Sequence, residues 1–263
     1  IWLSMNALSF WSSSKFLVSS HPSHFVGFLM LGPSCRTLVV CPSGQTNAAS
    51  TKSGSSGGNA AKLTSAVKAQ AEQDLLQPTD FPAGWVVGAS AAGTTRTSPW
   101  SKQLASCSGV PSALAAIKPT KISGSEYTST DHTLAVEDNI SVYPTAAQAK
   151  AAWKAMANPK TPTCMNRIGS SALRTSVQDE AGAGATVGSV AISALAPGTF
   201  EAGQTGYSVT IPLVSGGRQL TITSTEIEFV HGRFDHQLTF NGNGVSFPPL
   251  LEVHLVRQVE GRS

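Results

Sequence analysis

The chain has 263 residues, a formal net charge of +3, 41% apolar residues and 13% charged ones. That length can bury a sizeable core in one large domain or two small ones. A charged share of about half the usual one, with Ser, Thr, Ala and Gly in its place, excludes a coiled coil and a charge-driven disordered chain. Lys15, Arg36, Lys52, Lys62 and Lys68 all precede the first acid, Glu72, and beyond residue 70 acids slightly exceed bases. The row of phosphate-neutralising cations that a sequence-independent grip on nucleic acid needs is therefore not encoded.

Residues 1–41 carry two basic side chains and no acid, and include the apolar run Phe25-Val-Gly-Phe-Leu-Met-Leu31 followed by Gly32, Pro33, Ser34 and Cys35. This pattern reads as the h-region of a secretory signal. A helix of that run rises only about 10 Å where a bilayer core needs roughly 30 Å, so it is not read as a transmembrane span. The chain opens on Ile1, which leaves Met5 or Met30 as an alternative start. Leu38-Val-Val-Cys41 resembles a bacterial lipoprotein box with Cys41 as the lipid-attachment residue, although Val40 stands where a small residue is expected. The alternative is that Cys35 and Cys41 are ordinary residues of a discarded leader. Residues 42–59 lack apolar periodicity and read as a flexible Ser/Gly-rich tether, which leaves 60–263 as a single domain.

Within 60–76, Leu63, Val67, Ala71 and Leu75 recur every four positions and predict an amphipathic helix that Pro78 helps to end. A Pro- and Gly-rich turn then leads to Trp85, which opens an extended segment. Residues 88–125 give weak signals. Leu134 and Val136, then Ile140 and Val142, predict two short strands with Glu137, Asp138 and Asn139 between them. Thr145 and Gln148 have capping-box spacing and start a helix with Ala149, Ala152, Trp153 and Met156 on one face, stopped by Asn158 and Pro159. Strands dominate thereafter: 187–192; Tyr207, Val209, Ile211 and Leu213; Leu220 and Ile222; Ile227 and Phe229. The phase change after Ile222 predicts a bulge near Ser224 to Glu226. His231-Gly-Arg233 reads as a turn, followed by a strand through Phe234, His236, Leu238 and Phe240 and a last helix that begins at the prolines after Phe247. The fold class is α+β, an antiparallel sheet with two or three helices packed on one face.

Motifs of enzyme chemistry fail on context. Gly54-Ser-Ser56-Gly-Gly58 has the spacing of a nucleophile elbow but sits in the tether, and Ser65-Ala-Val-Lys68 lacks the partner motifs of serine acylases. Gly182-Ala-Gly184-Ala-Thr-Val-Gly188 is one residue too long for a dinucleotide fingerprint and precedes a strand. Asp131-His132 and Asp235-His236 are adjacent pairs, and adjacent strand residues point to opposite faces, so neither Asp orients its neighbour's ring. His236 shares the parity of Phe234 and Leu238 and reads as a hydrogen-bonded core or rim histidine. Trp85 and Trp153 read as core anchors before ligand platforms. No metal ligands have the right spacing, and no cofactor is expected. Cys107 and Cys164 are expected to pair if the chain is exported; two buried free thiols are the alternative for a cytosolic protein.

Three stretches carry a family resemblance: Asp80-Phe-Pro-Ala-Gly-Trp85, the helix entry Val142-Tyr-Pro-Thr-Ala-Ala-Gln-Ala-Lys-Ala-Ala-Trp153 with Cys164 following, and the closing strands before Phe247-Pro-Pro-Leu-Leu. Over about residues 70–260 they resemble actinobacterial secreted or lipid-anchored sensor-like domains, similar to the extracellular sensor domain of a mycobacterial serine/threonine kinase, a PknH-like domain. The resemblance implies a non-catalytic α+β domain outside the cytoplasmic membrane, with a cleft for a small ligand. That family form has two internal disulfides, where only Cys107 and Cys164 are at hand here. The expected function is ligand binding or sensing, with a small apolar or amphipathic ligand, attachment to a membrane through a lipid anchor, no nucleic acid, and Trp85, Trp153 and His236 as cleft or core residues. Two rival readings are a secreted hydrolase of cell-wall or lipid substrates that uses His236 or His132, and a structural or protein-binding envelope component.

Overall fold

The computed structural model describes residues 63–88, 101–181, 184–195 and 203–263; the leader, Cys41, the tether and the Gly54 to Gly58 motif lie outside them. The α+β class is as expected. Nine strands are present among the described residues: β1 (Trp85–Val87), β2 (Thr120–Ser123), β3 (Tyr127–Ser129), β4 (Leu134–Val142), β5 (Thr186–Val187), β6 (Ala191–Ala194), β7 (Gln204–Ser215), β8 (Arg218–His231) and β9 (Phe234–Asn243). They form one sheet in the order β1-β3-β4-β9-β8-β7-β5, with β2 also on β4 and β6 also on β7. Every pairing is antiparallel. Two-residue turns link the three longest strands. Gly216 and Gly217 both take positive φ, 57° and 74°, as the tight turn between β7 and β8 requires.

The helices are α1 (Ser65–Asp74), α2 (Ser101–Cys107), α3 (Ser112–Ala115), α4 (Ala146–Met156), α5 (Thr161–Ala181) and α6 (Pro249–Glu260). Thr64 caps α1 and Thr145 caps α4, each hydroxyl accepting a backbone N–H three residues on, at 3.3 and 3.2 Å. The 21-residue α5 has no counterpart among the expected elements. Its Met165, Leu173 and Val177 are buried with Ile168 and Ala172 packed beside them, a helical spacing diluted by Gly169 and by β-branched and Ser residues of low helix propensity.

More helices form than the sequence suggested, and they cover both faces of the sheet. Side chains alternate along a strand. Val136, Ile140, Leu238, Phe240, Ile227 and Phe229 therefore share one face, where Leu255, Val256 and Val259 of α6, Ala71 of α1 and Leu75 just after it bury them. On the other face Tyr207, Val209, Ile211, Leu213 and Ile222 pack with Leu104 of α2, Ala149, Ala152 and Met156 of α4, and Met165, Leu173 and Val177 of α5. Cys107, the last residue of α2, is disulfide-bonded to Cys164 in the first turn of α5, with a Cα–Cα distance of 5.8 Å.

Three strand expectations are corrected. The two short runs around Glu137 to Asn139 are one strand, β4, because Leu134, Val136, Ile140 and Val142 all have the same parity. No bulge interrupts β8, whose register against β7 and β9 is continuous. The apolar phase changes because Ile222 joins the core beneath α2, α4 and α5 on one face, whereas Ile227 and Phe229 join the core against α6 on the other. The 187–192 strand is two short strands, β5 and β6, each paired with β7.

Candidate functional site

On the face bearing α4, the centre of the sheet is polar where the flanks are apolar. The register sets side chains in rows: Ala135, Asn241, Ser224 and Val209; then Glu137, Thr239, Glu226 and Tyr207; then Asn139, Gln237, Glu228 and Thr205; then Ser141 and Asp235. Burial falls along this series. Every residue of the first two rows is buried, the third row is mixed, and Ser141 and Asp235 are half-buried. The polar strip is therefore most enclosed at the Asn241 end and least enclosed at the Ser141 end. Lys121 of β2, opposite Ser141, stands at the less enclosed end.

Burial dominates the electrostatics. It pushes the Glu137 carboxyl up to about 8, with Glu126 adding repulsion, and Asp235 up to about 7. Glu226 and Glu228 are both raised by burial and hydrogen-bond one another. Lys121 lies near enough to Glu226, Glu228 and Asp235 to interact with all three, although desolvation outweighs them and lowers its ammonium. Tyr143 and Tyr207 adjoin the same acids and are pushed up by burial and their charge. Tyr207 donates its hydroxyl proton to Met156 O and so pins the end of α4 to the sheet.

Several polar atoms here have no hydrogen-bond partner: Thr239 Oγ1, Asn241 Nδ2, Glu137 Oε1, Glu228 Oε2 and Asp235 Oδ1. Thr239 is fully buried and sits between Glu137 and Glu226 on their row. Buried polar groups left unpaired each cost about 1–3 kcal/mol, so such a cluster is retained at the expense of stability. At neutral pH these carboxyls can accept or donate hydrogen bonds according to what lies against them.

The residues singled out in the sequence are scattered. Trp85 is half-buried on the opposite face, with ring centroids 5.0 Å from Phe81 and 6.0 Å from Phe247. His236 is also on that face, fully buried and stacked on Phe229 at 4.7 Å. It is a core histidine, but neither ring nitrogen has a hydrogen-bond partner, contrary to expectation. Trp153 is half-buried on α4, and its Nε1 is buried and unpartnered. Asp131 accepts from Ser129 and Thr133 in an exposed turn, where His132 takes a left-handed φ of 56°. The strip of acids was missed, yet it had a signal: the phase change in β8 leaves Glu226 and Glu228 in the polar phase of a strand whose other phase is core.

No family model matches this chain, and no curated protein is similar to it in sequence. Among solved structures it is similar to the extracellular domain of PknH from Mycobacterium tuberculosis, at 11% identity and a TM-score of 0.37, over 74% of this chain and 95% of that one. Among the described residues no group of three or more His, Cys, Asp or Glu could hold a metal ion, and no helix is long and apolar enough to cross a membrane.

Proposed function

We propose that this chain is a non-catalytic ligand-binding or sensor-like domain of the cell envelope, with the cleft over Glu137, Thr239, Glu226 and Glu228 as its binding site. The observation that carries the reading is Thr239, fully buried and without a partner, between Glu137 and Glu226 on a buried row of a polar strip whose Ser141 end is half-buried. The lining favours a polar ligand over the apolar or amphipathic one that the sequence suggested, since an apolar guest would leave those atoms unpaired. A hydrolase that uses His236 finds no support at this site, since that ring is on the far side of the sheet against Phe229. The Cys107–Cys164 bond supports an oxidising, extracytoplasmic setting. Attachment through Cys41 is part of the same proposal, and the mass of the mature envelope protein tests it.

The test of the cleft is a thermal-shift screen of polyols, sugars, amines and amino acids against the full chain and a Thr239→Val variant. A compound that raises the melting temperature of the parent and loses that effect in the variant supports the site. The reading falls if Thr239→Val alone stabilises the fold and no compound distinguishes the two proteins. Mass spectrometry of the same mixtures that finds a hydrolysed compound overturns the non-catalytic part.

A further inference from the structure

We infer that the cleft receives a linear di- or polyamine, whose ammonium groups sit against Glu137, Glu228 and Asp235; the inference rests on the binding reading above. The unpartnered atoms decide the kind of guest. Once ionised by an approaching cation, Glu137 Oε1, Glu228 Oε2 and Asp235 Oδ1 are acceptors only, Thr239 Oγ1 can serve either way, and Asn241 Nδ2 is the donor among them. What these atoms lack is mainly protons to accept. Four carboxyl groups, Glu137, Glu226, Glu228 and Asp235, share this face, with Glu126 acting on Glu137 from beside β3 and Lys121 as a positive charge at the less enclosed end. Arg233, in the turn between β8 and β9, directs its Nε to Tyr143 O at 2.7 Å. The helix packed above brings no counter-charge, since Lys150 and Lys154 of α4 are exposed. A cationic donor is thus the complementary group.

Spacing then selects a linear cation. Asp235, Glu228 and Glu137 occupy successive rows from the less enclosed end inward, and two steps of two residues along a strand span roughly 13 Å. That depth suits several ammonium groups on one chain. Tyr143 and Tyr207 adjoin the acids and border the same strip. Lys121 occupies the charge position that the outermost ammonium of the guest would take, so it competes with it.

The test is isothermal titration of the full chain with spermidine at pH 7.5, in two buffers of different ionisation enthalpy, with myo-inositol and calcium chloride as the neutral and metal probes. Circular dichroism checks that each variant keeps its fold. The expected result is saturable spermidine binding with proton release, about tenfold tighter in Lys121→Met and about tenfold weaker in Glu228→Gln. Spermidine binding that neither substitution alters overturns the assignment, as does calcium binding at the cleft in place of spermidine. If myo-inositol binds, and loses affinity in Thr239→Val, while spermidine does not, the amine falls and the binding cleft stands. If no probe binds and Thr239→Val is only more stable, both fall.

Discussion

Glu137 and Asp138 are consecutive on β4 and serve opposite sides of the sheet. Asp138 points toward α1 and accepts the Leu76 N–H at 2.8 Å, fastening the segment after that helix. Glu137 points into the cleft, where Oε1 has no partner. The two-residue period of a strand alone sends one carboxyl to a backbone N–H and the other to the opposite face.

Both carboxyls are raised by burial, Glu137 to about 8 and Asp138 to about 7, as is Asp235, to about 7. A carboxyl whose folded pKa lies above its unfolded one favours the protonated native state. Its contribution is full below the ordinary carboxylate range and is lost as pH rises through the folded value. The melting temperature therefore falls between pH 5 and pH 8. Glu137→Gln, which cannot ionise, raises it at pH 8 by about 5 °C and leaves it nearly unchanged at pH 5. Calorimetry across that range decides the matter, and a melting temperature that climbs from pH 5 to pH 8 contradicts it.

His236 works in the other direction. Burial lowers its imidazole to about 3 from the ordinary 6.5, with His231 and Arg262 adding smaller charge repulsions. The native state thus keeps the ring neutral, and its contribution is full above the unfolded value and lost as pH falls from 6.5 toward 3. His236→Leu is close in volume and removes two unpaired nitrogens. At pH 7 its stability stays within about 1.5 kcal/mol of the parent, and at pH 4 it resists urea better than the parent. Urea midpoints at the two pH values measure this.

The Cys107–Cys164 bond joins α2 to α5 across a sequence separation of 57. A loop of that span confers about 4 kcal/mol by restricting the unfolded chain. Reduction, or a Cys107→Ser and Cys164→Ser double variant, lowers the urea midpoint accordingly. Because α5 covers the apolar part of the cleft-bearing face, the loss shows first as faster amide exchange in Leu173 and Val177.

The segment after α6 is latched by Arg262. Its Nη1 donates to both oxygens of Asp80, at 2.9 and 3.0 Å, and its Nη2 donates to Leu75 O at 3.1 Å. The Asp80 side chain is only 6% exposed, so this pair is better shielded from solvent than a surface salt bridge. Arg262→Ala costs about 2 kcal/mol, and a double-mutant cycle with Asp80→Ala returns a coupling of about 1 kcal/mol. Equal, additive losses from the two single variants count against a shared latch.

The amino-acid order by itself determined the elements whose causes are local. Thr145 caps a helix, the prolines after Phe247 open one, and the alternation of Tyr207 to Leu213 is visible as a strand before any packing is known. It also held the Cys107–Cys164 pairing as the economical choice for an exported chain. What only the tertiary structure decided is which side of each strand faces what. The jump in phase between Ile222 and Ile227 reads as a bulge when β8 is taken alone, because a half-buried strand has one apolar face. In the fold the same strand is continuous, with Ile222 in the core on one face and Ile227 and Phe229 in the core against α6 on the other, so its apolar face changes sides without a break. Glu226 and Glu228 are left beside Thr239 and Glu137 from strands distant in sequence. Burial and charge at that cleft depend on distances between strands, and a sequence shows only distances along one.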